Sequence, residues 1–411
     1  VHVQPALVEQ QVNFMKRIGI TPRPHWREHA AECGFGFHTI EGLPYWDESA
    51  YYAFTLRQIE DDLETPSIEL HEMALELVDE VVGSEALMEQ LAIAAPFRDW
   101  IAQSWQRREA YLYGRLDFAY DGSGPAKLYE LNYDTPTSLF EAAFFQWGWL
   151  EEQRESGALP AHADQFNRIH EALVERFAQL LAQLPAPLYF SAVRESVEDQ
   201  GTVTYLRDCA AQAGLHGLDI AIEDIGLSED GRFTALDDTV IGSLFKLYPL
   251  EDLMAEEFGA ALPDSGLQLL EPAWKAVLSN KGILPLLWQR YPNHPNLLEA
   301  HFDHSTGALP PGWVRKPLFS REGANVSLYL PDGRLEHSPG PYNGPYIRQA
   351  LHLLPDFDGN YPLIGSWLVG DEACGIGIRE DNSRITRDSA RFLPHAIIDQ
   401  APPMGRSQIY V

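Results

Sequence analysis

The chain has 411 residues, 45% of them hydrophobic and 11% aromatic, enough apolar material for a sizeable interior and too much for wholesale disorder. Its 60 acidic and 30 basic residues leave a net charge of −30. That field repels nucleic acid and anionic membrane and favours cationic partners, although an acidic surface also simply keeps a cytosolic enzyme soluble.

A chain of this length implies two or three lobes. The three cysteines (Cys33, Cys209, Cys374) lie far apart, with no CxxC pair, which points to a reducing, cytoplasmic setting without a disulfide framework. The opening VHVQPALVEQQ lacks a basic flank before an apolar core, so no secretory leader is expected, and no run approaches the ~18 apolar residues of a membrane span. The first residue is not Met, so the numbering is not expected to start at the gene's first codon.

Residues 1–108 read as mainly helical. Leu70, Met73, Leu77 and Val81 recur at helical spacing before Gly83, and a second helix is expected over 97–108. In 109–185 the period changes: AYLYGRLDFAY and KLYELN read as strands joined by the turn DGSGPA, followed by two long helices. Residues 186–262 alternate strand and helix and suggest an α/β lobe. Residues 263–411 are strand-rich and punctuated by Gly and Pro, with PDG at 331–333 as a hairpin turn.

Residues two apart on a strand share a face. If the hairpin closes with Tyr120 opposite Lys127, Asp117 lies across from Glu130 and Arg115 from Asn132. Leu116 and Phe118 then point the other way. Facing carboxylates repel unless a cation sits between them. Two carboxylates and an amide oxygen suit Mg²⁺, and Arg115 beside them could hold a transferring phosphoryl group. From spacing alone, a solvated face carrying a surface ion pair is the slightly favoured reading, since RxD and ExN are each weak patterns. In DTPTSLFE, Thr135 or Ser138 is placed to cap a helix, with Ser138 and Glu141 at capping-box spacing; a helix start there could also receive a substrate carboxylate. Lys281 and Lys316 read as surface residues, less comfortably for Lys316 between Trp313 and Phe319 in an apolar strand, and SREGANV is a polar turn whose Gly323 can present backbone N–H groups to phosphate. No GxxxxGK[ST] and no strand-led GxGxxG is present. HFDH at 301–304 lacks the spacing of a metal pair.

Taken in order, RLDFAY, YELNYDTPTS, LFKLYP, EPAWKAVLSNKGILPLLW, VRKPLFSREGANV and GIGIRED resemble the glutathionylspermidine synthetase family of carboxylate–amine ligases. The likeness runs from about residue 12 to residue 400. It begins almost at Val1, so the cysteine amidase domain of the best-known members is not expected in this sequence. The resemblance implies an α+β, ATP-grasp fold in permuted order, with a pre-ATP-grasp-like lobe, because the acidic triad precedes the lysines. It implies Asp117, Glu130 and Asn132 as Mg²⁺ ligands and Arg115 as the transition-state arginine. It also implies ATP contacts from Lys281, Lys316, Gly323, Ala324, Gln349, Leu351 and Arg379, and contact between Thr135 and the acid. The partners would be a small-molecule or peptide acid and an amine, a polyamine among the options. Two other functions use the same residues: a phosphotransferase, and an ATP- or peptide-binding module without turnover.

Overall fold

The structure is a computed structural model that describes residues 15–40 and 42–399. The stretch read for a leader, and the outermost residues of the family likeness, lie outside them.

The N-terminal part holds strands that local pattern did not announce. β1 (Lys16–Gly19) pairs antiparallel with β2 (Ala50–Phe54), and β2 takes a parallel partner from residues 395–397 at the far end of the chain. AYYAF is a short run whose strand character depends on that distant partner, and these strands sit beside the helices of the region. Two helices appear where periodicity put them: α1 (Thr65–Val82) and α2 (Ala95–Gln106). Leu70, Met73, Leu77 and Val81 are all buried, and α1 packs them into the same core as Leu116, Phe118 and Ile364. Each such side chain contributes about 1.5–3 kcal/mol on burial.

The hairpin forms as β3 (Tyr113–Ala119) and β4 (Lys127–Asn132). Arg115 faces Asn132 and Asp117 faces Glu130, as the sequence suggests, but Lys127 lies opposite Ala119 and not Tyr120. The register shifts after Asp117, leaving Tyr129 as an extra residue on β4. Such a bulge re-aims side chains beside it, here Glu130. The chain after DTPTS turns helical at Leu139, passes through a five-residue π-helical segment (Glu141–Phe145) and continues as α3 (Gln146–Glu155), followed by α4 (Ile169–Leu180). The expected capping box does not form. Ser138 has φ +67° and its hydroxyl pairs with the Tyr45 hydroxyl at 2.9 Å.

The α/β lobe contains β5 (Leu188–Ala192), α5 (Val197–Gln212), β6 (Gly217–Ala221), β7 (Ser243–Leu247) and β8 (Gln268–Leu270). Its sheet is wholly parallel in the order β8-β7-β5-β6. Strand order therefore reverses at β5, and the crevice beyond the carboxyl ends of β5 and β7 is where such sheets receive ligands. After α6 (Ile283–Arg290), β9 (Ala300–Asp303), β10 (Trp313–Pro317), β11 (Ser327–Tyr329), β12 (Leu335–His337) and β13 (Tyr346–Ala350) make an antiparallel sheet in the order β9-β13-β10-β11-β12. The PDG turn joins β11 to β12.

Finally β14 (Tyr361–Val369), β15 (Glu372–Asp381) and β16 (Arg391–Leu393) come back to the hairpin, giving the antiparallel order β16-β15-β14-β3-β4. Arg379 and Glu380 are neighbours on β15 and point to opposite faces. On its face, Glu380 accepts from Arg17 at 2.6 and 3.0 Å, from the Tyr52 hydroxyl at 2.5 Å and from Arg391. Among the described residues, no helix is long and apolar enough to cross a membrane.

Candidate active site

The hairpin face is not a solvated surface. Arg115 is 4% exposed and Asp117 is fully buried. The Arg115 guanidinium grips Asp117 with both arms, Nε to Oδ1 at 2.6 Å and Nη2 to Oδ2 at 3.1 Å, while Nη1 donates to the Thr137 carbonyl at 2.6 Å. Arg379 reaches across from β15 to Asp117 Oδ2 at 2.7 Å. The Asn132 amide nitrogen donates to Asp117 Oδ2 at 3.1 Å and leans on Glu130 Oε1 at 3.4 Å. The cation that the facing carboxylates need is thus supplied by the chain itself.

Lys281, in the loop leading to α6, pairs with Glu130 at 3.1 Å and donates to the Ser320 carbonyl. Lys316, on β10, donates to the Tyr129 carbonyl at 3.0 Å and to Gln349 Oε1 at 2.9 Å. Burial would raise the Glu130 carboxyl, but Lys281 and Lys316 outweigh it and hold it down to about 2. Burial draws Lys316 down to about 8, against the pull of Glu130. Four cationic groups here face two carboxylates.

These residues head a cavity between the two antiparallel sheets. Glu130, Lys316, Gly323, Gln349, Leu351 and Arg379 line it. Val314, Val326, Leu328 and Ile385 give its deeper wall an apolar surface suited to a flat ring. Gly323 closes the cavity at φ +68°, and a Cβ there would come within 2.5 Å of the Thr386 carbonyl oxygen. Ala324, next to it, packs under Gly340, whose own added Cβ would lie 2.6 Å from that of Ala324. The Leu351 N–H is committed to the Gly312 carbonyl at 2.9 Å. HFDH plays no part in the cavity: Asp303 binds Arg315 at 2.6 Å and His301 binds Glu299 at 2.8 Å.

Thr135 lies half-buried just past Asn132. Its neighbour Asp134 makes a buried ion pair with Lys246 at the end of β7, and accepts from the Leu250 N–H at 2.7 Å. The loop carrying Thr135 is thereby fastened to the carboxyl end of the parallel sheet.

Sequence reasoning missed an acidic wall. Glu141, on the π-helical segment, is fully buried and neither carboxyl oxygen completes a hydrogen bond. Burial pushes it up to about 7, even with the Tyr45 hydroxyl and Arg115 nearby to favour its charge. Glu198, in the first turn of α5 at the crevice, is pushed up to about 8 by burial and then by the fields of Glu141, Asp199, Asp388 and Glu322. The one sequence signal was a glutamate among Leu139, Phe140 and Ala142, which the capping-box reading explained away.

With this geometry in view, comparison with known proteins is decisive. The family model for glutathionylspermidine synthase preATP-grasp matches residues 17–398. The chain belongs to the glutathionylspermidine synthase family. A Haemophilus influenzae protein bearing the provisional name acid–amine ligase is 42% identical over 402 residues, spanning 93% of this chain and 100% of that relative. Trypanothione synthetase of Crithidia fasciculata is 28% identical over 347 residues, 77% of this chain and 52% of its own length. The bifunctional glutathionylspermidine synthetase/amidase of Escherichia coli is 25% identical over 386 residues, 86% of this chain and 60% of its own length. The chain thus spans little more than half of these two larger relatives. Among solved structures, a glutathione synthetase-like effector of Globodera pallida is similar, with a TM-score of 0.56 at 10% identity, covering 91% of this chain and 96% of that one. The fold is mixed α/β with glutathione synthetase-like neighbours, and the family places the chain among ATP-dependent C–N ligases.

Proposed function

We propose that this family member joins a carboxylate to an amine, using ATP to convert the carboxylate to an acyl-phosphate that the amine then attacks, on a permuted ATP-grasp fold. The observation that carries this reading is the meeting of Arg115, Asp117, Glu130, Asn132, Lys281, Lys316 and Arg379 at the head of the cavity between the two antiparallel sheets. Lysines and arginines in surplus suit a triphosphate, and the apolar wall behind Gly323 suits adenine.

The donor set fits Mg²⁺: Asp117, Glu130 and Asn132 offer two carboxylates and an amide oxygen, hard ligands for a hard ion. When bound, the ion would neutralise charge on the transferring phosphoryl group. Arg115 and Arg379 would stabilise that group as its charge shifts, and Lys281 and Lys316 would hold the phosphates. Thr135, fixed by the Asp134–Lys246 pair, would orient the acid, which we take to be a small molecule or peptide.

The amine, we propose, is a cation such as a polyamine. Glu141, Glu198 and Asp199 form an acidic wall beside Arg115, and a partnerless buried carboxylate is costly unless a ligand completes it. The test is a matrix of acids (glutathione, short peptides, amino acids) against amines (spermidine, putrescine, amino acids), read by ADP and phosphate release. A ligase releases both only when acid and amine are present together. Phosphate retained on the acid would make it a phosphotransferase. Tight ATP binding with no turnover anywhere in the matrix would make it a binding module.

A further inference from the structure

We infer that Arg115 and Arg379 act as stand-in cations for Asp117: they hold its carboxylate closed to a divalent ion and release it when a polyphosphate draws them away, so that ion and nucleotide bind as one unit. This rests on reading these residues as an ATP and metal site.

Asp117 has two oxygens and four donors already on them: Arg115 Nε at 2.6 Å, Arg115 Nη2 at 3.1 Å, Arg379 at 2.7 Å and the Asn132 amide at 3.1 Å. Asn132 turns its nitrogen toward both carboxylates, and ligating a cation would require the opposite, oxygen end. Glu130 is paired with Lys281 at 3.1 Å. Both candidate carboxylates therefore face donors of the chain's own, and the candidate amide is itself one of those donors. A lone divalent ion approaching them meets four cations against two carboxylates, in a place where little water screens the repulsion.

A polyphosphate inverts that balance. It brings several negative charges, and guanidinium groups bind phosphate oxygens through the same two-armed fork that Arg115 now applies to Asp117. Once Arg115 and Arg379 turn to phosphate, Asp117 is an unpaired buried carboxylate, for which a divalent ion is the remaining partner. Linkage makes the effect reciprocal: the nucleotide raises affinity for the ion by the factor by which the ion raises affinity for the nucleotide.

The experiment titrates the full chain with Mn²⁺, followed by electron paramagnetic resonance, with and without a non-hydrolysable ATP analogue; the analogue's own Mn²⁺ binding is measured in parallel. Wild type should take up Mn²⁺ weakly without the analogue and on the order of 30-fold or more tightly with it. Arg379→Ala should do the reverse of an ordinary site mutant: it should gain nucleotide-free Mn²⁺ affinity, roughly tenfold or more, because a competitor for Asp117 is gone. Adding Asp117→Asn to that variant should abolish the gain. Circular dichroism and a thermal melt establish that each variant is folded, and Arg379→Gln replaces Arg379→Ala if the latter is not. Equal Mn²⁺ affinity in wild type with and without the analogue overturns the inference, as does a folded Arg379 variant with no gain. Calorimetry of the analogue with Mg²⁺ separates this from failure of the functional reading. Binding there with no Mn²⁺ coupling sinks the exchange alone, whereas no binding at all sinks the nucleotide site and the exchange with it.

Discussion

Arg115 divides its guanidinium between Asp117 and the Thr137 carbonyl, so the side chain is aimed before any substrate arrives. The Thr137 contact can persist when phosphate takes the place of Asp117, which would hold the fork ready before the chemical step begins. Arg115→Ala should lower kcat by on the order of 10²–10³ while Mg-ATP affinity stays within a few-fold, and Arg115→Lys should recover little because an ammonium lacks the fork. Steady-state ADP release beside nucleotide titration checks both; loss of ATP binding with normal turnover of bound ATP would refute the role. Glu141 gives a second residue-level test. Its carboxyl titrates near 7 in the folded chain against a usual 4.5. Between those values the unfolded chain has lost the proton and the folded one has not, so stability falls as pH rises through the window and the loss is complete above about 8. Glu141→Gln should remove that residue's share of the slope, making the variant more stable than wild type at pH 8 by on the order of 3 kcal/mol and no more stable at pH 4.5. Urea midpoints at the two values decide it. The same substitution should raise KM for a cationic amine and leave that for the acid unchanged. Residue identities placed the polar face of the hairpin, since a strand has only two faces and Arg115 and Asp117 had to share one. They could not reveal Glu141, because a glutamate three residues after a serine reads as a cap until the burial around it is known.

At the scale of elements, the turn around Gly323 is the piece with least freedom. Glu322, Gly323 and Asn325 all have positive φ, and Gly323 has no room for a Cβ against the Thr386 carbonyl. Gly323→Ala must therefore move the turn away from residues 385–386, and with it the wall of the cavity. We expect Mg-ATP affinity to fall about tenfold or more, equivalent to about 1.4 kcal/mol, with a smaller effect on the thermal midpoint. A calorimetric titration indistinguishable from wild type would remove the turn from the nucleotide site. Long elements with a strong period were legible: α1 through Leu70, Met73, Leu77 and Val81, and the parallel strands through their alternation with α5. The bulge at Tyr129 was not, because alternation continues through KLYELN on either register and only the bonds to β3 reveal the extra residue. β2 escaped for a similar reason, its partners being β1 and a strand some 340 residues further on.

At the scale of the molecule, the hairpin sheet and the parallel sheet meet through Asp134 and Lys246, both buried, with Asp134 also receiving the Leu250 N–H. Breaking such a pair leaves one charge buried without compensation. Lys246→Met should destabilise by about 3–5 kcal/mol, while Lys246→Met with Asp134→Leu should recover much of that yet leave turnover poor, because Thr135 loses its anchor. Chemical denaturation and kcat on both variants test this; full recovery of turnover in the double variant would mean the pair is only structural. The sequence order alone made the hairpin and the C-terminal strands look like separate regions. Packing makes them one sheet, since β14 lies directly against β3. That arrangement puts the protein one step from a charge inversion. Arg379 and Glu380 are adjacent on β15, opposite in sign and opposite in side. Were β15 to slide by a single residue against β14, a carboxylate would stand where the phosphate-facing guanidinium belongs, and the site would repel the group it is built to receive. Arg17, Tyr52 and Arg391 on Glu380 work as a parity check on that slide: only one of the two settings gives the glutamate three donors, so the correct sign at the cavity is guarded from the far side of the sheet.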